Sequence, residues 1–162
     1  MRETRARLAD MYRRHAASVY RRARTLLGDD AEAHEVLHDL FLSLLERPEQ
    51  IAGGSTVMTF LYSATTHACL NRLRNRRNRE RLLQERGGSV SDSVSGDVLV
   101  QVRHALARMP RQLAEVAVYH FVDDMSQQEI ADVLGCSRRH VGNLIQRLES
   151  WGRAQEDACS AQ

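Results

Sequence analysis

A chain of 162 residues that is 43% hydrophobic can bury one core of ordinary size or two small ones, which excludes global disorder. Only 5% of its residues are aromatic and only two are proline, a composition that favours helices over a sandwich or barrel. The net charge of +2 conceals a split, because residues 1–86 hold 16 arginines against 11 acids while residues 87–162 hold 7 against 10. The positive excess therefore lies in the first half and calls for an anionic contact there. The first fifteen residues are charged from position 2 and contain no apolar core, so they are not a secretory signal, and no apolar run approaches a membrane span. A soluble, cytoplasmic protein without a cofactor is expected. Cys69, Cys136 and Cys159 form no CxxC pair and are read as reduced thiols.

In chain order, the first helix is expected over residues 5–27, where Leu8, Tyr12, His15, Val19, Ala23 and Leu26 recur every three to four positions. Gly28 ends it, and Asp29 with Glu32 offers an acidic capping box for a second helix over 31–47. That helix carries Val36, Leu37, Leu40, Phe41, Leu42, Leu44 and Leu45, a wider apolar surface than the roughly 100° stripe a core needs. Part of it should meet something outside its own domain. Pro48 stops the helix, and Gly53-Gly54 mark a flexible break in the following loop.

A third helix reads from Ser55 or Thr56 to Leu83, with a packing stripe of Leu61, Ala64 and Ala68. Its second half holds Arg72, Arg74, Arg76, Arg77, Arg79 and Arg81 against Glu80 alone. Arginines on every side of a helix cannot all be buried, so they face solvent or, the reading preferred here, phosphate. A Gly/Ser/Asp-rich stretch then marks a linker over 85–97. Beyond it, Val98, Val102, Ala105, Leu106 and Met109 define a helix ending before Pro110, which opens another helix carrying Leu113, Val116, Ala117 and Phe121. Asp123-Asp124 break the chain. His15 and His120 are expected at core edges or on helix surfaces, and His104 in solvent.

The strongest local signal lies at residues 126–148. Ser126 with Glu129 forms a capping box, and Ile130, Ala131 and Leu134 give the first helix an apolar face. Gly135 supplies a left-handed turn residue, and Ser137 caps a second helix whose inward stripe is Val141, Ile145 and Leu148. Its outward face carries Arg138, Arg139, His140, Asn143, Gln146 and Arg147, which can reach phosphates and base edges in a major groove. This is a helix-turn-helix; a plain αα-corner with a solvated basic face is the alternative. Cys136 lies in its turn and is read as structural, with redox sensing as the alternative. The expected architecture is all-α, with a first domain over 1–84, the linker 85–97, a wingless four-helix domain over 98–155 and a disordered tail over 156–162.

This layout resembles the bacterial RNA polymerase sigma factors, in particular the short extracytoplasmic-function group of the sigma-70 family. The stretch LGD at 27–29 through AHEVLHDLF at 33–41 is similar to the family's core-binding helix. FLYSATTHACLNRLRNRRNR at 60–79 is similar to the helix that engages the minus-ten promoter element. ALARMP at 105–110 and EIADVLGCS at 129–137 resemble the domain that reads the minus-thirty-five element. The resemblance implies a promoter-specificity subunit with no catalysis of its own. Its partners would be core polymerase, through the β′ clamp and β flap, promoter DNA and an anti-sigma factor, with no membrane insertion.

Residue by residue, the resemblance puts Glu35, Asp39, Leu40, Phe41, Leu44 and Leu45 against the polymerase. His67, Asn71, Arg72, Arg74, Arg76, Arg77 and Arg79 would meet the minus-ten element, and Ser137, Arg138, Arg139, His140, Asn143, Gln146 and Arg147 the minus-thirty-five element. The chain departs from the family pattern at His34 and His38, where Glu and Gln are usual. It departs also at His67, where an Asn commonly contacts an unstacked base, and at Phe60, where Trp is usual.

Two other readings compete. A helix-turn-helix regulator acting without polymerase, as in a LuxR-like module, accounts for the C-terminal half alone and leaves the apolar second helix and the arginine run unexplained. His34-Glu35-Val36-Leu37-His38 also spells HExxH, the zinc-protease pattern in which two histidines share a metal and the glutamate acts as base. Phe41 and Leu44-Leu45 stand where a metzincin extension would need glycine and a third histidine. Only Glu49 and Glu80 lie between Pro48 and Leu83 as distant carboxylates. A regulatory metal site on this helix is the milder form of that reading.

Overall fold

The computed structural model describes residues 2–51, 56–88 and 97–161. Among these there are seven α-helices, one 3₁₀ turn and one π turn, and no strand. The chain divides into two compact units, 1–104 and 105–162. Gly53-Gly54 and most of the expected linker, 89–96, lie outside the described residues, as does Ser55.

In the first unit α1 (Arg2–Leu27) packs on α2 (Asp30–Glu46) and α3 (Val57–Glu85), and α2 packs on α3. α1 ends because Gly28, at φ +70°, turns left-handed and returns its N–H to the Arg24 carbonyl at 2.9 Å. The helix's last carbonyls are closed by guanidinium donors: Arg76 reaches Leu27 O, and Arg103 reaches Leu26 O and Thr25 O, each at 3.1 Å. Asp29 caps α2 by accepting the Glu32 N–H at 2.8 Å. The expected capping box closes on one side only, because the Glu32 carboxylate is taken by Arg76. Pro48–Ile51 form a 3₁₀ turn, and Thr56 caps α3 by accepting the Thr59 N–H.

The core of this unit joins Val19, Leu37, Phe41, Leu44 and Leu61. The buried face of α3 is Leu61, Thr65, Thr66, Cys69, Leu70 and Leu73, so the expected Ala64 and Ala68 flank the packed stripe instead of forming it. Threonine can occupy it because each hydroxyl is satisfied: Thr65 donates to Leu61 O at 2.6 Å and Thr66 to Tyr62 O at 2.9 Å. Arg22 of α1 lies 3.5 Å over the Tyr62 ring and donates to Thr66 Oγ1 at 2.8 Å.

α4 (Val98–Arg108) straddles the division between the units. The second unit continues with α5 (Arg111–Ala117), the π turn Val118–Val122, α6 (Gln127–Leu134) and α7 (Arg138–Ser160). Pro110 is the residue before α5, at the cap position, and Phe121 is exposed instead of completing the α5 stripe. The core here gathers Leu113, Val116, Tyr119, Ile130, Val141 and Leu144. α7 runs through the expected disordered tail as far as Ser160. Its extension includes helix-forming Glu156 and Ala158, and just before it Gln155 accepts a 2.6 Å hydrogen bond from Arg108.

Candidate nucleic-acid interface

The helix-turn-helix is built by local rules. Ser126 Oγ accepts the Glu129 N–H at 3.2 Å, and Glu129 Oε2 accepts the Ser126 N–H at 2.8 Å, closing the capping box. Those bonds to Ser126, the backbone one foremost, hold the Glu129 carboxyl below the ordinary range. Gly135 sits at φ +66°, and Cys136 returns its N–H to Ala131 O at 3.1 Å. Ser137 Oγ then accepts the His140 N–H at 3.1 Å and starts α7.

Val141, Ile145 and Leu148 point inward, and Leu144 joins them. Arg138, Arg139, His140, Asn143, Gln146 and Arg147 are exposed on the other side, with Ser137 at the helix start. Among the described residues, Arg138, Arg139 and Arg147 form no ion pair, which leaves this face chemically open to an anion. A basic outer face, an αL turn and a closed inner stripe are the parts a groove-reading helix requires.

The arginine run of α3 separates into two groups. Arg77 and Arg79 are exposed, and Arg81 makes only a 3.8 Å approach to Glu85. Arg72 and Arg76 instead turn onto α2. Arg76 grips Glu32 with Nε at 3.0 Å and NH2 at 2.6 Å, in a pair whose side chains are both about three-quarters covered. Arg72 forks across Glu35 at 2.6 Å and Asp39 at 2.8 Å. Burial disfavours the Arg72 cation, but the bonds and charges of those two carboxylates outweigh it and raise its pKa. Both are expected at DNA from the sequence; in the fold each is bonded to α2, where carboxylates one helical turn apart stand opposite them.

Arg74 and His67 are half-buried, and Asn71 is exposed. Asn71, Arg72 and Arg79 meet Glu32, Ala68 and Asn75 around a polar cleft of about 330 Å³. Asn75 was not singled out from sequence, although its i+4 spacing from Asn71 places both amides on one face.

The α2 face also divides. Phe41 and Leu44 are core residues, Leu44 only 1% exposed, and the Phe41 ring is edge-on to Tyr12 at 4.9 Å. Of the residues expected at the polymerase, these two are covered by the unit's own core. Leu40 is half-buried against the core, while Leu45 at 44% exposure stands open beside Leu42, which the sequence puts in the wide apolar surface but not among the polymerase contacts. On the HExxH stretch, Glu35 is tied to Arg72 and the exposed His34 ring stacks on Tyr20 at 4.5 Å. Among the described residues no three His, Cys, Asp or Glu side chains gather as a metal site.

No described helix is long and apolar enough to cross a membrane. Residues 11–79 match the family model for sigma-70 region 2, and residues 99–149 match the model for sigma-70 region 4. A comparison with curated proteins finds no match.

Proposed function

The chain belongs to the sigma-70 family of RNA polymerase sigma factors, in its extracytoplasmic-function group, and from that premise we propose that it binds core polymerase and selects promoters. The observation that carries the reading is the order of the two family regions along one chain, each with a distinct exposed face. In this reading α2 meets the β′ clamp through Leu42, Leu45 and the half-buried Leu40, flanked by the Glu35 and Asp39 carboxylates. α3 lies at the minus-ten element, where Arg77 and Arg79 contact phosphates and His67, Asn71 and Arg74 border an unstacked base.

The α7 face from Ser137 to Arg147 enters the major groove at the minus-thirty-five element, while the rest of its unit meets the β flap. Engaging both elements through one chain raises affinity by effective concentration. The protein supplies recognition, not catalysis, and acts in the cytoplasm, where polymerase and promoter DNA are found. An anti-sigma factor would compete for the same exposed faces. The test is reconstitution: purified chain is added to sigma-free core polymerase on a library of promoter fragments, and transcript 5′ ends are sequenced. The expected result is a set of starts absent from core alone, sharing two spaced upstream elements. Starts identical to those of core alone would reject the proposal.

A further inference from the structure

We infer that Arg72 is a positioning residue for polymerase docking, holding the Glu35 and Asp39 carboxylates ready for a basic partner group, and not a DNA contact. The inference rests on the reading that α2 is the docking helix. Glu35 and Asp39 are one turn apart, so their side chains rise side by side from the α2 surface. Arg72 spans them from α3, giving NH1 to Glu35 Oε2 at 2.6 Å and NH2 to Asp39 Oδ2 at 2.8 Å. Its own side chain is only 26% exposed, whereas those of Glu35 and Asp39 are 62% and 69% exposed. The arginine is thus folded inward beneath an acid pair that looks outward.

The stoichiometry of the contact supports positioning over neutralisation. An ionised carboxylate has two oxygens and about four acceptor sites. Arg72 takes one oxygen from each acid, which leaves the second oxygen of both available to guanidinium or ammonium donors on a partner. A single cation shared by two anions also leaves the cluster one negative charge in excess, the sign a basic partner surface requires. Fixing both acids in advance removes part of the side-chain ordering that docking would otherwise need. The half-buried Arg76–Glu32 pair one turn further along α3 clamps the same two helices and keeps the Arg72 backbone in register with α2.

The test is a thermodynamic cycle on the full chain, titrated with sigma-free core polymerase and read by the anisotropy of a label outside α2 and α3. Arg72→Ala is expected to weaken core binding about five- to ten-fold, as loss of preorganisation at two side chains implies. Arg72→Lys, with a point charge in place of a fork, should restore only part of it. In a Glu35→Gln, Asp39→Asn background, Arg72→Ala should weaken core binding no further, a coupling that general destabilisation of the helix pair would not produce. Promoter opening by holoenzyme formed at saturating Arg72→Ala should match wild type.

Unchanged or tighter core binding by Arg72→Ala overturns the inference, the tighter case meaning that Arg72 competes with the partner for the acids. Additive losses, or a promoter-opening defect at saturation, overturn it as well. If the Glu35→Gln, Asp39→Asn chain binds core as wild type does, the docking role of α2 itself has failed. That outcome is distinct from one in which the acids matter and Arg72 does not.

Discussion

Leu44 and Leu45 are adjacent and identical in kind, and the fold gives them opposite tasks. Leu44 fills the core of the first unit, while Leu45 stands open on the α2 surface beside Leu42. Leu44→Ala should therefore cost about 2–5 kcal/mol of stability, measured by denaturant unfolding. Leu45→Ala should change stability by less than about 0.5 kcal/mol yet weaken association with core polymerase. Equal stability losses would mean that both are core residues. The sequence shows that the apolar face is too wide, but seven similar side chains on one helix cannot say which edge the domain itself covers. The same limit applies to Cys69, which reads as an ordinary free thiol. In the fold it is buried, and burial pushes its pKa up to about 12. At pH 8 a thiol reagent should label exposed Cys159 quickly and leave Cys69 unreacted until the chain is unfolded. Rapid labelling of all three native cysteines would contradict the packing of α3.

Elements whose signals are local were legible; those whose signals depend on a distant partner were not. Ser126, Glu129, Gly135 and Ser137 each act within four residues of themselves, and each does in the fold what its position in the sequence implies. Ser126→Ala should destabilise the second unit by about 1 kcal/mol in thermal or denaturant unfolding. The box also carries a pH signature. The Glu129 carboxyl has its pKa depressed in the folded state, so its contribution is complete above the ordinary value of 4.5. It is lost as the pH falls through the lower folded-state value. The gap between wild type and Glu129→Ala should accordingly narrow in acid; a gap that widens there would mean the Glu129 carboxylate is not bonded to the Ser126 N–H. By contrast, the stripe of α3 was misread because its buried positions are spelled Thr65, Thr66 and Cys69. Hydroxyls that satisfy their own helix carbonyls pack as apolar groups, and no hydropathy pattern records that. Glu32 reads as part of a capping box for a different reason: its partner, Arg76, is 44 residues away. The α7 extension was missed because a short polar stretch looks alike whether it frays or continues a helix.

At the scale of the whole molecule, charge and recognition are divided between the two halves. The first carries the arginine surplus, and the second, with 7 arginines against 10 acids from residue 87 onward, must bind DNA through placed side chains. The structure moves the open part of the arginine run toward its far end, since Arg72 and Arg76 are paired within the unit and the exposed cations of the run begin at Arg77. The two halves should then fail in different ways when cut. In the proposed reading Arg79 contacts phosphate, so with Arg79→Ala promoter binding by holoenzyme should weaken about equally across sequences. The slope of log K against log salt should fall in magnitude by about 1. Arg139→Ala removes an exposed side chain that the same reading places in the groove, from an acidic unit. It should lower transcription from promoters with a matched minus-thirty-five element by about 1–3 kcal/mol in binding, with core affinity unchanged. Filter binding of holoenzyme across a salt series, on matched and scrambled upstream elements, separates the two effects. If Arg139→Ala weakens both templates alike, α7 holds the backbone without reading it, and the sequence choice assigned to the second unit must come from elsewhere.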